Sequence, residues 1–232
     1  MKLDAYTYDK KLIELQPLEI KNKPPQWWSN LKKAYKVFDP RTSISVPSPT
    51  IRACPGVVNY IRKPIIMKLW SDAIFKVFPD GRVKVATPLH NDRVNLQIGV
   101  HEKKQFGNLY ENSTVVKLVS PWIMKASDRT DFMCTEVHYD NELRKHNILV
   151  APGITNFYDQ YASNVFLVFP VKEEEYEIQL SYGTPLMSIY PMTDKKVDIK
   201  MHHATTDEMN SIIDCFPSTF LGRYYSRKHA RR

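Results

Sequence analysis

Residues 148–192 read ILVAPGITNFYDQYASNVFLVFPVKEEEYEIQLSYGTPLMSIYPM, and this stretch decides the fold class. Residues 164–169 (NVFLVF) and 186–190 (LMSIY) are short runs rich in Val, Ile, Phe and Tyr, which suit a pleated, half-buried surface. Pro170, Gly183, Pro185 and Pro191 bound them as turn residues do. Between them lies the acidic run Glu173-Glu174-Glu175 with Glu177, read as a solvated loop. A minority reading makes it a docking patch for a basic arm of another subunit. The two apolar runs are expected to be core strands of a β domain.

The flanking sequence repeats the pattern. Residues 74–78 alternate, Pro79-Asp80-Gly81-Arg82 has turn chemistry, and residues 82–86 return as a hairpin partner. Residues 65–70, 94–100, 114–119, 132–137 and 148–150 supply further strands. Short, frequent strands without helical periodicity predict a mainly β fold over residues 53–200, an antiparallel sandwich or barrel. The best helical signal comes late. Thr205 with Glu208 forms a capping box ahead of Met209, Ile212 and Ile213, and Pro217 closes that helix. Residues 201–232 are thus expected to hold a short helix and a basic tail.

Eight of the sixteen prolines fall in the first 64 residues. Residues 1–52 are therefore read as an extended basic arm. Residues 10–15 are a candidate short strand, residues 25–36 a short helix opened by proline, and residues 41–55 a Ser/Pro/Thr linker. On that helix Trp27, Leu31 and Tyr35 would share a face. Trp27 and Trp28 are adjacent and cannot point the same way.

Charge is uneven. Residues 1–52 carry ten Lys/Arg against five Asp/Glu, and residues 223–232 carry five Arg/Lys and no acid, so the middle is near neutral. Basic ends on a neutral body suggest arms that meet an acidic partner. The tail Arg223, Arg227, Lys228, Arg231, Arg232 with Tyr224 and Tyr225 could also hold nucleic acid. Trp27, Trp28, Trp70 and the tail cations are the candidate interface residues, since aromatics and Arg dominate interface energetics.

Three widely separated cysteines, Cys54, Cys134 and Cys215, argue for a reducing compartment without a disulfide framework. No apolar run has the length of a membrane span, so a soluble protein without membrane partners is expected. Chemistry is sparse. His90-x-Asp92 with His146 or His202 could form a two-His-one-carboxylate metal site, but the pair also suits a polar turn. Neighbouring His202 and His203 would face opposite ways on a strand. Asp128, Asp131, Glu136 and His138 are acid/base candidates by type alone. No phosphate loop, Gly-x-Ser-x-Gly or zinc-hydrolase signature is present. No cofactor is expected.

Thr50-Ile51-Arg52-Ala53-Cys54-Pro55-Gly56 with Asn59-Tyr60, then IIMKLWSD at 65–72, SPWI at 120–123 and GTPLMSIYP at 183–191, resemble an uncharacterised protein family of tailed, chiefly marine, phages. The similarity spans residues 24–195, and its motifs are turns, strands and tryptophan anchors. It implies a phage origin. A fainter similarity is to the trimeric dUTPase barrel, in the order of PGITNFY at 152–158, Asn164 and GTPLMS at 183–188. It implies a barrel without the enzyme, because Thr155 or Asn156 stands where the catalytic Asp would be and the Pro-Arg-Ser-Gly motif is missing. The expectation is a structural virion component of capsid, neck or tail, made in the host cytoplasm, meeting other virion proteins and its own copies. The alternative is a phage-encoded enzyme, either a non-haem metal-dependent oxygenase or a nucleotide-acting β-barrel.

Overall fold

The computed structural model describes residues 1–20, 26–87, 96–101, 103–106, 109–214 and 216. The chain is mainly β with antiparallel sheets. It divides into two units, residues 1–19 with 66–232, and residues 20–65.

The larger unit starts with β1 (Lys2–Thr7) and α1 (Lys10–Leu15). Its further strands begin with β4 (Ile65–Lys68), β5 (Ala73–Val77), β6 (Val83–Ala86), β7 (Gln97–His101) and β8 (Ser113–Val119). Next come β9 (Ile123–Ala126), β10 (Asp131–Glu136), β11 (Leu149–Val150) and β12 (Gly153–Asn156). β13 (Val165–Pro170), β14 (Tyr176–Leu180), β15 (Pro185–Pro191), β16 (Asp198–His203) and α4 (Thr206–Asp214) complete it. Among the described residues these strands form four sheets, in the orders β16-β1-β9, β12-β10-β15-β4, β11-β13-β8-β7 and β14-β5-β6. Among the described residues no sheet closes into a barrel, and the arrangement is consistent with a β-sandwich. The barrel alternative, and with it the dUTPase-like closure, is therefore set aside.

The core is made where the pattern placed it. Leu167, Phe169, Leu186 and Ile189 are fully buried. Phe75 of β5 meets Phe169 of β13 at 5.0 Å between ring centroids, which packs one sheet face on another. Gly183, at φ +84°, makes the turn before β15, and its N–H donates to Leu69 O at 2.8 Å.

The first residues do not form an arm. β1 is the central strand of its sheet, parallel to β16 and antiparallel to β9. Leu3, Ala5 and Thr7 are fully buried on one face, while Lys2, Asp4 and Tyr6 alternate with them. Residues 10–15 are helical rather than extended. Asp9 caps them, accepting from Lys11 N at 2.8 Å. The late helix has its predicted box: Thr205 N donates to Glu208 Oε2 at 2.7 Å, and Glu208 N donates to Thr205 Oγ1 at 3.3 Å. Its Met209 packs in a small cluster with Ile123, Ala204 and Phe216.

The smaller unit holds α2 (Gln26–Asn30), the antiparallel pair β2 (Ala34–Asp39) and β3 (Ile44–Pro49), and α3 (Pro55–Arg62). A bridge between Ile20 and Ile65 ties its ends. The expected helix over 25–36 stops at Asn30. Beyond it Tyr35, Val37 and Phe38 are β formers, and their cross-strand partners at 45–48 take them. The expected linker is likewise a strand followed by a helix with Pro55 at its first turn, where a missing N–H costs nothing.

Candidate interaction surface

The smaller unit carries a ribbon of two strands, with no third among the described residues. Val37 pairs with Val46, Tyr35 with Ser48, Lys36 with Pro47, and Phe38 with Ser45. Asp39 and Pro40 open its turn: Arg41 N donates to Asp39 Oδ1 at 2.9 Å, and Ser43 takes a left-handed φ of 54°. The base is tied by Arg52, whose guanidinium donates to Leu31 O at 2.6 Å and Ser29 O at 2.9 Å. Thr50 Oγ1 donates to Lys32 O at 2.6 Å.

Cross-strand partners share a face. Tyr35, Val37, Ile44 and Val46 therefore lie together, with Asp39 and Ser48. Tyr35 is 56% exposed and Ile44 61%, and on the other face Phe38 is 60% exposed. A lone two-stranded hairpin is at best marginally stable in water. This one carries exposed apolar side chains on both faces, Tyr35, Val37, Ile44 and Val46 on one and Phe38 on the other.

Of the predicted interface residues, Trp27 is 41% exposed, while Trp28 and Trp70 are buried at 4% and 1% and offer no surface to a partner. Trp27 and Trp28 meet edge to face at 5.6 Å. The Trp70 indole N–H has no hydrogen-bond partner among the described residues. Arg223, Arg227, Lys228, Arg231 and Arg232 lie outside the described residues, as do His90 and Asp92.

Ionisable groups cluster at several places among the described residues. Glu136 Oε1 lies 2.6 Å from both Arg144 Nη2 and His138 Nδ1, and Thr135 Oγ1 lies 3.4 Å from His138 Nε2. The hydroxyl contact is long for an activated nucleophile, and Arg144 already neutralises the carboxylate. Asp4 meets His202 Nε2 at 2.7 Å and Lys2 Nζ at 2.9 Å. Burial pushes the Asp4 carboxyl up, but hydrogen bonds from His202 and Lys2 outweigh it and hold it below the ordinary value. Lys76 bonds Glu175 at 2.6 Å and has Glu177 at 3.8 Å. Asp128 and Asp131 are engaged by Thr130 and Asn156 at 3.0 Å each.

Among the described residues no three His, Cys, Asp or Glu converge as a metal set, and no helix is long and apolar enough to cross a membrane. A cleft of about 350 Å³ beside α4 is lined by Tyr8, Ser120, Tyr161, Thr206, Met209 and Asn210 with apolar neighbours. Among the described residues that line it, the tyrosines are the ones with an ionisable side chain.

No protein-family model matches the chain. No curated protein matches it either. The ribbon and the clusters thus speak through their own chemistry.

Proposed function

We propose that the chain is a structural component of a tailed-phage virion, at capsid, neck or tail, acting through protein–protein interfaces with other virion proteins and with its own copies. The observation that carries this reading is the exposed ribbon. Fully burying one such apolar side chain is worth about 1.5–3 kcal/mol. Tyr35, Val37, Phe38, Ile44 and Val46 are each roughly half exposed, so covering them offers on the order of 5 kcal/mol. That matches only the lower end of association's cost, about 4–15 kcal/mol. Such a surface suits an assembly in which backbone pairing, charge and many copies supply the rest.

The phage setting is supported by the resemblance at residues 50–60, 65–72, 120–123 and 183–191. The basic ends are the further contacts of the reading, with nucleic acid a possible partner of the tail. The test is mass spectrometry of purified particles of the phage that encodes the chain, with copy number relative to the major capsid protein. A stoichiometric copy number is expected, and its value separates capsid, neck ring and tail. Absence from particles overturns the reading.

A further inference from the structure

The two edges of the ribbon are not equivalent. Thr50 N donates to Lys33 O, which makes Lys33/Thr50 a hydrogen-bonded pair. Antiparallel pairs alternate, so Tyr35/Ser48 and Val37/Val46 are hydrogen-bonded too. Ala34/Pro49, Lys36/Pro47 and Phe38/Ser45 are the pairs between them, and their backbone N–H and C=O groups point outward. On β3 two of those three outward nitrogens belong to proline, so that edge is blunted. On β2 Ala34, Lys36 and Phe38 keep their N–H groups. The β2 edge is open, and no third strand pairs with it among the described residues.

A second edge without a partner strand among the described residues is β14, at the end of the sheet β14-β5-β6. Phe78 N donates to Arg82 O, so on β5 the groups of Phe78, Lys76 and Ile74 face β6. Those of Val77, Phe75 and Ala73 then face β14, where they pair with Tyr176, Ile178 and Leu180. The outward groups of β14 therefore belong to Glu177 and Gln179. The side chains of both are exposed, whereas Ile178 and Leu180 point into the core.

We propose that β2 of one copy adds antiparallel to the β14 edge of a second copy, with Lys36 opposite Glu177, giving the order β3-β2-β14-β5-β6 across the two chains. The proposal deepens the assembly reading above and rests on it for the expectation that copies meet. Three features agree. Outward groups must pair with outward groups, which sets Lys36 beside Glu177 on the solvent face. The same parity sets Tyr35 and Val37, with Ile44 and Val46, on the side of Ile178 and Leu180, so the ribbon's apolar face extends the buried face of the sheet. The charges are complementary: Lys32, Lys33, Lys36 and Arg41 outnumber Asp39 on and beside the ribbon, while Glu173, Glu174, Glu175 and Glu177 run into β14 and outnumber Lys76, which pairs with Glu175 and Glu177. Two ribbons pairing with each other would instead set cations against cations. The contact joins unlike surfaces, so it propagates into a ring or a filament.

The test is sedimentation of the full chain over a range of concentration and salt. Lys36→Pro removes an outward N–H that the hairpin does not use, and Lys36→Ala removes the charge alone. Self-association of the wild type that weakens with salt is expected. Lys36→Pro should stay monomeric at concentrations at least about tenfold above those at which the wild type associates. Lys36→Glu and Glu177→Lys should each weaken association, and the two together should restore it. A wild type that is monomeric throughout overturns the proposal, as does a Lys36→Pro variant that associates normally. Presence in particles without such association sinks strand addition and spares the virion reading. Association through Lys36 and Glu177 by a protein absent from particles does the reverse.

Discussion

Lys36 and Pro47 stand opposite each other across the ribbon at a pair whose nitrogens both point outward. The proline thus takes no hydrogen bond from the hairpin and closes one edge to further pairing. Replacing it tests that role. Pro47→Thr should change unfolding stability by less than about 1 kcal/mol, yet raise the rate of aggregation followed by light scattering. Unchanged solubility would show that the β3 edge needs no protection.

Asp4 and His202 join β1 to β16 on the exposed face of their sheet. The Asp4 carboxyl titrates below its ordinary 3.8, so its contribution is fully present above that value and is lost as pH falls through the lower folded value. Asp4→Asn should cost about 1 kcal/mol at pH 7, and the difference from wild type should shrink as pH falls below 3.8 and through the lowered folded value. Urea unfolding at several pH values measures it. A pH-independent penalty would assign the effect to packing.

Trp70 is buried with its indole N–H unpartnered among the described residues. Trp70→Phe therefore removes volume but no hydrogen bond. It should cost about 1 kcal/mol, against about 3–5 kcal/mol for Trp70→Ala. Equal losses in urea unfolding would mean that the indole nitrogen matters.

Cys54 is exposed, whereas burial pushes the Cys134 thiol up to about 11. In a Cys215→Ser background at pH 8, iodoacetamide should label Cys54 at least about tenfold faster than the half-buried Cys134. Comparable rates by peptide mass spectrometry would show that β10 opens readily.

The strands of the larger unit were legible where apolar residues recur with period two or in short bounded runs. Residues 165–170 and 185–191 are examples, and the Thr205/Glu208 box marked its helix. β1 escapes a local reading although Leu3 and Ala5 alternate with polar neighbours. Its parallel partner β16 lies almost the whole chain away, and such pairings leave no local trace. The run Glu173-Glu174-Glu175 with Glu177 reads as a solvated loop, and its glutamates hide the alternation of Tyr176, Ile178 and Leu180 that makes β14. Residues 41–55, which hold β3, read as a linker because proline is a breaker in general, and the helix expected over 25–36 covers the start of β2. Prolines spaced two apart leave every inward N–H intact, which a strand paired on one side tolerates. Tryptophan identity alone did not separate exposed Trp27 from buried Trp28 and Trp70.

Strand addition between copies is tested most directly by carbodiimide cross-linking of a mixture of unlabelled and 15N-labelled full-length protein. Peptides joining Lys36 of one isotope to Glu175 or Glu177 of the other are expected. Cross-links confined to chains of a single isotope, or none between these segments, would contradict it.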